Sequence, residues 1–378
     1  MRITGGNVFS GGAFIEAAVE IADGRIAALG PSEGACALSE GDVDATGCYV
    51  VPGFVDIHFH GCVGADLCDA TGEALRAIAR HEASRGVTAI CPATMTYPEE
   101  LLTSVARTAA AFEPAADEAA LVGINMEGPF ISPDKIGAQN PAYVQRADAA
   151  MLRRIQKEAG GLVKLVDIAP EEPGALEFTA EVADEVRVSL AHTCTDYDTA
   201  RAAFERGARH MTHLYNAMPG LHHRKPGPIA AAWEAPEATV ELICDGVHVH
   251  PAMARLTFAL FGAERICLIS DSMRACGLED GTYDLGGQDV TVRGNVATLA
   301  DGTIAGSVTD LAACVRHAVR EMGVPLEDAV LAATLTPARA IGIDAERGSL
   351  EAGKVADMLV LDEDLNVKHV VLRGELMK

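Results

Sequence analysis

Two histidines separated by one residue, His58 and His60, close an apolar segment of the chain. Alternate side chains of an extended strand point to the same face, so we expect both imidazoles to project together. Neutral imidazoles placed side by side form a two-point site for Zn²⁺ or Fe²⁺. The competing interpretation is a pair of buried structural histidines. Further metal-ligand side chains along the chain favour the metal site.

Four more side chains with acid–base or metal-binding chemistry occupy similar places in the sequence. Each lies where an apolar run gives way to small or polar residues, which is where a strand would end and a loop begin. A cap on the following turn is the alternative role for the last of the four. The four residues are Glu127, His192, His213 and Asp271.

An eightfold alternation of strands and helices would bring these residues together. Alanine-rich stretches with helical spacing separate the strand-like runs, and this alternation favours parallel strands joined by helical crossovers. Eight units favour a (β/α)8 TIM-type barrel over an open doubly wound sheet, and the carboxyl ends of barrel strands share one face. The predicted strands are 54–60, 87–93, 120–127, 163–169, 186–192, 210–214, 240–244 and 266–270.

The two ends of the chain have a different pattern, with short alternating strands and glycine turns. Each end is too short to bury a core alone, so we expect the two to pair. The sequence therefore predicts an α/β protein in two domains. Residues 1–51 and 346–378 would form a small β-sandwich, and residues 52–345 the barrel. A further β-rich stretch, 281–306, would form hairpins near the site or against the sandwich.

The chain is strongly acidic, with 54 Asp and Glu against 30 Lys and Arg and a formal net charge of −24 over 378 residues. A field of this sign repels polyanions and argues against nucleic acid or an anionic membrane as partner. We find no apolar stretch near the ~18 residues that a membrane helix needs, and no basic segment followed by an apolar one at the N-terminus. A cytoplasmic protein without a membrane partner is the expectation.

The ten cysteines are scattered singly, without a C-x-x-C pair. Most lie in apolar runs, where a free thiol behaves as a small hydrophobic group. Three of them follow closely after candidate site residues, so approach to a metal stays open for these: Cys62, Cys194 and Cys276.

Five short motifs in a fixed order carry a family resemblance. They are PGFVD at 52–56, EGPF at 127–130, AHT at 191–193, HLYNAM at 213–218 and DGVH at 245–248. Each motif is weakly specific alone, but EGPF and HLYNAM in this order are strongly specific. The chain resembles the amidohydrolase superfamily and, within it, the N-acetylglucosamine-6-phosphate deacetylases, over nearly its whole length.

The resemblance implies a metal-dependent hydrolase that removes acetate from N-acetyl-D-glucosamine 6-phosphate in amino-sugar catabolism. Asp271 would be the general base and then the general acid. One or two divalent ions per subunit, Zn²⁺ or Fe²⁺, would be bound. Three residues match the ligands of the main ion and two more match members that hold a second one: Glu127, His192 and His213, then His58 and His60.

The resemblance also implies which residues bind the sugar phosphate. Arg224 and His248 would contact it, with Asn216 and the backbone of Ala217 facing it. Arg224 belongs to a cationic segment, 221–227, that is unusual in so acidic a chain, and its guanidinium fork suits phosphate. By the same resemblance the protein is a homodimer, and Arg224 could reach across the dimer interface.

One position departs from the family pattern. Gln139 stands where many members have a histidine that contacts the substrate near the scissile amide or a ring hydroxyl. Glutamine donates and accepts hydrogen bonds but carries no charge. The reaction class is unaffected, whereas the sugar is left open, and N-acetylgalactosamine 6-phosphate is the first alternative.

Two other classes of function stay open at this stage. One is a different metal-dependent amidohydrolase, acting on a cyclic amide or a D-aminoacyl substrate; the cationic segment argues against it. The other is a binding or scaffolding protein that has kept the fold and lost the chemistry, which the presence of every candidate ligand argues against.

Overall fold

The computed structural model describes residues 1–31, 39 and 41–377, so Cys36 lies outside the described residues. The N-terminal segment consists of short strands joined by tight turns, several with glycine at positive φ. Strands β1 to β7 are Arg2–Thr4, Asn7–Ser10, Ala13–Glu16, Ala18–Ala22, Arg25–Gly30, Val43–Asp44 and Tyr49–Pro52.

A barrel of parallel strands follows. The strands are buried on both faces, as their nearly continuous aliphatic sequences require. The third barrel strand is divided into β12 and β13, and a short hairpin, β9–β10, follows the first. Strands β8 to β18 are Phe54–Asp56, Gly61–Cys62, Ala65–Asp66, Val87–Ile90, Ala120–Leu121, Ile124–Phe130, Val163–Ile168, Arg187–Leu190, His210–Met211, Thr239–Ile243 and Ile266–Ile269.

The ladder of the barrel runs in chain order. β8 pairs with β11 and β11 with β12, while β13 to β18 form one continuous sheet. A bridge between Ala93 and Asn125 joins the two sheets. Two hydrogen bonds join the first barrel strand, β8, to the last, β18. The Ser270 hydroxyl donates to Asp56 at 2.6 Å, and the Asp271 amide donates to the His58 carbonyl at 3.0 Å. The first and last strands, far apart in sequence, are therefore fixed together at the end that carries the site.

Helices cover the outside of the barrel. Thr71, Asp148 and Asp196 cap three of them by accepting hydrogen bonds from first-turn amides. In the described part of the chain, no helix is long and apolar enough to cross a membrane. Helices α1 to α7 are Gly72–Ser84, Glu99–Ala110, Ala149–Glu158, Ala175–Val182, Tyr197–Glu205, Gly227–Glu234 and Pro251–Phe261.

An antiparallel unit lies between the last barrel strand and the final helices. It consists of β19 (Gly281–Leu285), β20 (Gln288–Arg293) and β21 (Val296–Thr298). The turn between the first two uses Gly286 and Gly287 at φ +64° and +80°, as a two-residue hairpin turn with two left-handed positions requires. Helices α8 (Leu311–Arg320), α9 (Leu326–Ala333) and α10 (Leu335–Ala340) then pack on β8 and β18.

The C-terminal strands return to the N-terminal ones. β22 (Met358–Leu361) pairs antiparallel with β7, and β23 (Val367–Leu372) and β24 (Glu375–Leu376) extend this sheet. A second sheet, in the order β5-β4-β1-β6, packs against it across a small apolar core. The predicted fold class, a TIM-type barrel with a small β-domain, is confirmed. The domain bounds 1–51, 52–345 and 346–378 stay a prediction.

The passage from the small sheet into the barrel depends on one glycine. β7 ends at Pro52 and β8 begins at Phe54, so Gly53 alone separates them. A Cβ atom on Gly53 would lie 2.1 Å from the Thr88 hydroxyl oxygen. No other residue type fits without moving the neighbouring strand.

We expect Met358→Ala to lower the free energy of unfolding by about 2–5 kcal/mol, because it empties a fully buried position between the two terminal sheets. Leu376→Ala, at an exposed position of the same sheet, is the control and should change it little. Urea unfolding of both variants measures the difference. Equal midpoints would contradict the role of Met358 in that core.

Candidate active site

The predicted metal ligands and Asp271 converge at the carboxyl ends of the barrel strands. All of them except His58 line a cleft of about 430 Å³. Each strand delivers its residue as it ends or just beyond. His58 and His60 follow β8, Glu127 lies within β13, and the others follow β15, β16 and β18: His192, His213 and Asp271.

Glu127 is at the centre of this group. Its Oε1 atom lies 3.0 Å from Nε2 of His192, 3.2 Å from Nε2 of His213 and 3.6 Å from Nε2 of His58. Its Oε2 atom lies 3.4 Å from Nε2 of His60. All of these side chains are buried. One carboxylate therefore bridges the two pairs of histidines that the sequence predicts as ligands.

Three of the strand ends turn sharply. His192, His213 and Asp271 have φ values of +41°, +25° and +48°. Residues with a Cβ rarely adopt positive φ, and they keep it only where the surrounding structure holds them there. The turns direct these side chains toward the barrel axis.

Glu241 fixes the deepest histidine, and the sequence analysis missed it. Its Oε2 atom accepts a hydrogen bond from Nδ1 of His58 at 2.9 Å and from the backbone amide of His213 at 3.0 Å. Its Oε1 atom lies 3.1 Å from Nε2 of His210. A lone carboxylate inside the apolar strand 239–243 was the available signal. Because Nδ1 of His58 donates to Glu241, its Nε2 is left for Glu127 and Asp271.

The ionisable groups of the site shift one another's pKa values. Burial alone would lower the pKa of His58, but the carboxylates of Glu241 and Glu127 raise it well above 6.5. Burial would likewise raise the pKa of Glu127, and the charge of His58 with the hydrogen bonds of His192 and His213 holds it well below 4.5. The carboxylates thus draw positive charge into a buried site, as a proton or as a metal cation.

Asp271 lies on the cleft side of the histidines. Its Oδ1 atom is 3.4 Å from Nε2 of His60 and 3.8 Å from Nε2 of His58. Burial alone would raise its pKa, but the hydrogen bond of His60 and the charge of His58 lower it below 3.8. Asp271 is therefore ionised at neutral pH and can accept a proton.

The donor set fits a divalent metal ion. The Nε2 atoms of His192 and His213 lie 3.2 Å apart, and tetrahedral ligands about 2.0–2.1 Å from Zn²⁺ stand about 3.3 Å from one another. The Lys135 carbonyl accepts a hydrogen bond from Nδ1 of His192 at 2.9 Å, so Nε2 is the ring nitrogen that faces Glu127 and is available as a ligand. Within the described residues, Nε2 of His58 has no hydrogen-bond partner. His58 groups with His60 and Asp271, and also with Glu127 and His213, as potential ligand sets.

The predicted substrate residues divide into two groups. Gln139, Asn216, Ala217 and His248 line the cleft. Arg224 is not among the residues that line the cleft of its own chain; it lies in the exposed segment 221–225, where its guanidinium is 2.6 Å from Nε2 of His223. The sequence could not decide this, because the path of a loop depends on what packs beneath it.

The side chain of Gln139 lines the cleft and also forms two buried hydrogen bonds. Its Nε2 atom donates to Oε2 of Glu127 at 2.7 Å, and its Oε1 atom accepts from the Thr96 amide at 2.6 Å. Gln139 thus orients the central carboxylate, a contact that the sequence analysis missed.

Other cleft residues were also missed. Lys135 brings a cation into the wall, and Asp301 and Thr303 reach the cleft from the loop after β21. The sequence offered a signal for Lys135, a basic residue four positions before Gln139. It offered no signal for Asp301 and Thr303, because a loop distant in sequence supplies them.

Comparison with known proteins agrees with this geometry. The profile of the Amidohydrolase family matches residues 49–377. N-acetylglucosamine-6-phosphate deacetylase of Bacillus subtilis (strain 168) is 39% identical over 332 residues, which cover 86% of this chain and 84% of the relative. The chain belongs to the amidohydrolase family. The resemblance inferred from the motifs is confirmed, and the family's metal dependence agrees with the ligand sets of the cleft.

Two more members are similar over nearly the whole chain. N-acetylgalactosamine-6-phosphate deacetylase of Escherichia coli O157:H7 is 36% identical over 360 residues, covering 95% of this chain and 94% of the relative. A mutant N-acetyl-D-glucosamine-6-phosphate deacetylase of Mycobacterium smegmatis, in complex with N-acetyl-D-glucosamine-6-phosphate, superposes with a TM-score of 0.93. It is 36% identical, and the match covers 100% of this chain and 98% of that one.

We expect Glu241→Gln to destabilise the protein by about 3–5 kcal/mol, because one partner of a buried charge pair is lost and an amide group then faces a donor. Glu237→Gln, at an exposed position before the same strand, is the matched control. Urea unfolding followed by circular dichroism measures both. If the two variants unfold at the same urea concentration, Glu241 does not hold the histidines as described.

Proposed function

We propose that this protein is a metal-dependent hydrolase that removes acetate from N-acetyl-D-glucosamine 6-phosphate and yields D-glucosamine 6-phosphate. The observation that carries the proposal is the ionised Asp271 beside the carboxylate-bridged histidines, at the floor of a cleft with cations in its wall. The similarity to deacetylases of amino-sugar phosphates over most of the chain supports the same reaction.

Amide hydrolysis adds the oxygen of water to the carbonyl carbon and breaks the carbon–nitrogen bond. The attacking water must lose a proton and the leaving nitrogen must gain one. Asp271 is proposed to accept the proton from the water as a base and then to donate it to the leaving nitrogen as an acid. Because it is ionised, Asp271 has a free carboxylate for the first step, and its contact with His60 supports its orientation.

The proposed metal ligands are Glu127, His192 and His213 for one divalent ion, with His58 and His60 available for a second. When bound, the ion would polarise the amide carbonyl as a Lewis acid and lower the pKa of the attacking water. Nitrogen and carboxylate ligands suit Zn²⁺ and Fe²⁺, the two ions we propose. Gln139 would orient Glu127, and Glu241 would orient His58, through hydrogen bonds to these ligands.

The phosphate group needs local cations in a chain of net charge −24. His248 is proposed as one of them: burial alone would lower its pKa, but the Asp245 carboxylate, 2.7 Å from Nδ1, raises it above 6.5. Asn216 and Ala217 also line the cleft. Lys135 adds a second cation from the same chain.

Arg224 is proposed to act on the cleft of a second copy in a homodimer. Two features support this. Its segment, 221–225, is exposed and brings Arg224 and Lys225 together as adjacent cations. Leu221, three residues before Arg224 in the same segment, is also exposed, by 40%, as expected of a surface that another chain covers.

N-acetylgalactosamine 6-phosphate is the second candidate substrate. A specific observation favours keeping it: Gln139, a neutral amide at a position where many family members have histidine, lines the cleft, and a deacetylase of that sugar is 36% identical. The two sugars differ at one ring hydroxyl. Rates of acetate release from both, measured side by side, decide between them.

A cytoplasmic place of action is also part of the proposal. The cysteines within the described residues are free thiols, as expected in a reducing compartment. Acetate release from a panel of phosphorylated and unphosphorylated N-acetyl sugars and cyclic amides tests the whole proposal. Activity on cyclic amides alone would indicate another amidohydrolase, and no activity on any of them a scaffold.

Asp271→Asn should keep the fold and the bound metal and lower kcat by ~10²–10⁴-fold, because asparagine cannot accept the proton. Metal content by elemental analysis and kcat for the 6-phosphate substrate are the two measurements. A variant that keeps most of its kcat would reduce Asp271 to a structural role.

Arg224→Ala should lower kcat/KM for the 6-phosphate substrate by roughly 10- to 150-fold, the value of about 1.5–3 kcal/mol for a charge-assisted hydrogen bond to phosphate. The weak rate on the unphosphorylated sugar should hardly change. Lys225→Ala, on the adjacent exposed residue, is the matched control. Light scattering of wild type and variant shows whether a dimer is present in both.

Two results would contradict this account of Arg224. An equal loss on both sugars would make it a structural residue, and a fully active monomer would exclude its action across an interface. If the wild type does not prefer the phosphorylated sugar, the substrate itself is wrong.

A further inference from the structure

A second group of metal-ligand side chains lies at the end of helix α1, and it shares no residue with the Glu127 group. Cys62 of β9, with His81 and Glu82 of α1, brings a sulfur, an imidazole nitrogen and a carboxylate oxygen within 4.8 Å of one another. Cys62 and Glu82 are fully buried, and His81 is partly exposed. None of the three appears among the described residues that line the cleft.

Glu82 is a buried carboxyl group whose neighbouring donor is the Cys62 thiol, itself a member of this group. Within the described residues, neither of its oxygens accepts a hydrogen bond, and Nε2 of His81 also has no partner. A buried, unpaired carboxylate is costly to fold, so each such group calls for an explanation. Two more carboxylates nearby, Asp56 and Asp310, have the same sign of charge. Arg85 is close, but it is 3.7 Å from Asp310 and half exposed.

We propose that Cys62, His81 and Glu82 bind a divalent transition-metal ion, with Zn²⁺ as the best match, at a site separate from the catalytic cleft. A thiolate, an imidazole and a carboxylate are all ordinary ligands of Zn²⁺. The cation would neutralise the buried carboxylate and occupy the unpartnered nitrogen.

Cys276 lies beside this group. Its carbonyl accepts a hydrogen bond from the Val63 amide at 2.7 Å, directly after Cys62 in the chain. Its sulfur is not among the atoms that lie within 4.8 Å of one another. The three side chains of the group would therefore hold the ion and leave a fourth position for water.

The position of the site indicates what the ion would do. Cys62 follows His60 by two residues, and Cys276 follows Asp271 by five. The ion would therefore attach the segment after His60 to the end of α1, and the hydrogen bond from the Val63 amide to the Cys276 carbonyl joins this segment to the one after Asp271. The ion would position and stabilise these segments and take no part in the reaction.

Cobalt substitution of the full chain tests the proposal. After metal removal by a chelator and reloading with Co²⁺ alone, the wild type should show a thiolate-to-cobalt charge-transfer band in the near ultraviolet. The nitrogen and oxygen ligands of the cleft cannot produce such a band. Cys62→Ser should lose the band together with one bound ion per chain, while His213→Ala, which removes a proposed ligand of the cleft, should keep the band.

Two further variants keep the test decisive. Cys194→Ser, at the exposed cysteine, is the matched control and should keep the band. His81→Ala changes a partly exposed residue, so the fold should survive. The affinity for Co²⁺ at this site, measured by titration of the charge-transfer band, should fall by about tenfold or more. Absence of the band in the wild type would overturn the proposal. So would a band that persists unchanged in Cys62→Ser or in His81→Ala.

Discussion

The convergence of buried charges on Glu127 is the constraint on which the rest of the structure depends. A carboxylate at the centre of a barrel is stable only when groups that carry or donate positive charge surround it. Four imidazoles from strands that are distant in sequence do so, all through Nε2. Each imidazole must arrive with a fixed orientation, and this requirement explains both the positive φ values at the strand ends and the partners that hold the opposite ring nitrogens of His58 and His192.

A second layer of polar residues therefore surrounds the first within the barrel. Glu241 holds His58 and the backbone of His213, and Gln139 holds Glu127 itself. Asp56 joins the first strand to the last through Ser270, and burial raises the pKa of its carboxyl to about 7. The polar interior gives the site its geometry, whereas the aliphatic faces between barrel and helices supply most of the buried apolar surface.

The cleft combines this floor with walls that come from loops. The loop around 134–139 and the loop after β21 contribute side chains to the wall, and Gln288 joins the hairpin unit to the first loop through the Ala138 carbonyl at 2.6 Å. Under the proposed function, the strand ends carry the reacting groups and the loops contact the rest of the substrate. Similar proteins are named for two different amino-sugar phosphates.

The sequence by itself determined the eightfold alternation, the barrel and the types of residue at the strand ends, because strand period, helix spacing and the end of an apolar run are local properties. It also placed His58, His60, Glu127, His192, His213 and Asp271 at those ends. Only the tertiary structure decided their partners. Glu241 lies 183 residues from His58, and Ser270 lies 214 from Asp56. In the tertiary structure Arg224 also lies outside the cleft of its own chain, and the Gln139 amide donates a hydrogen bond to Glu127. Such pairings depend on which strands and loops meet across the barrel, and no local pattern records that.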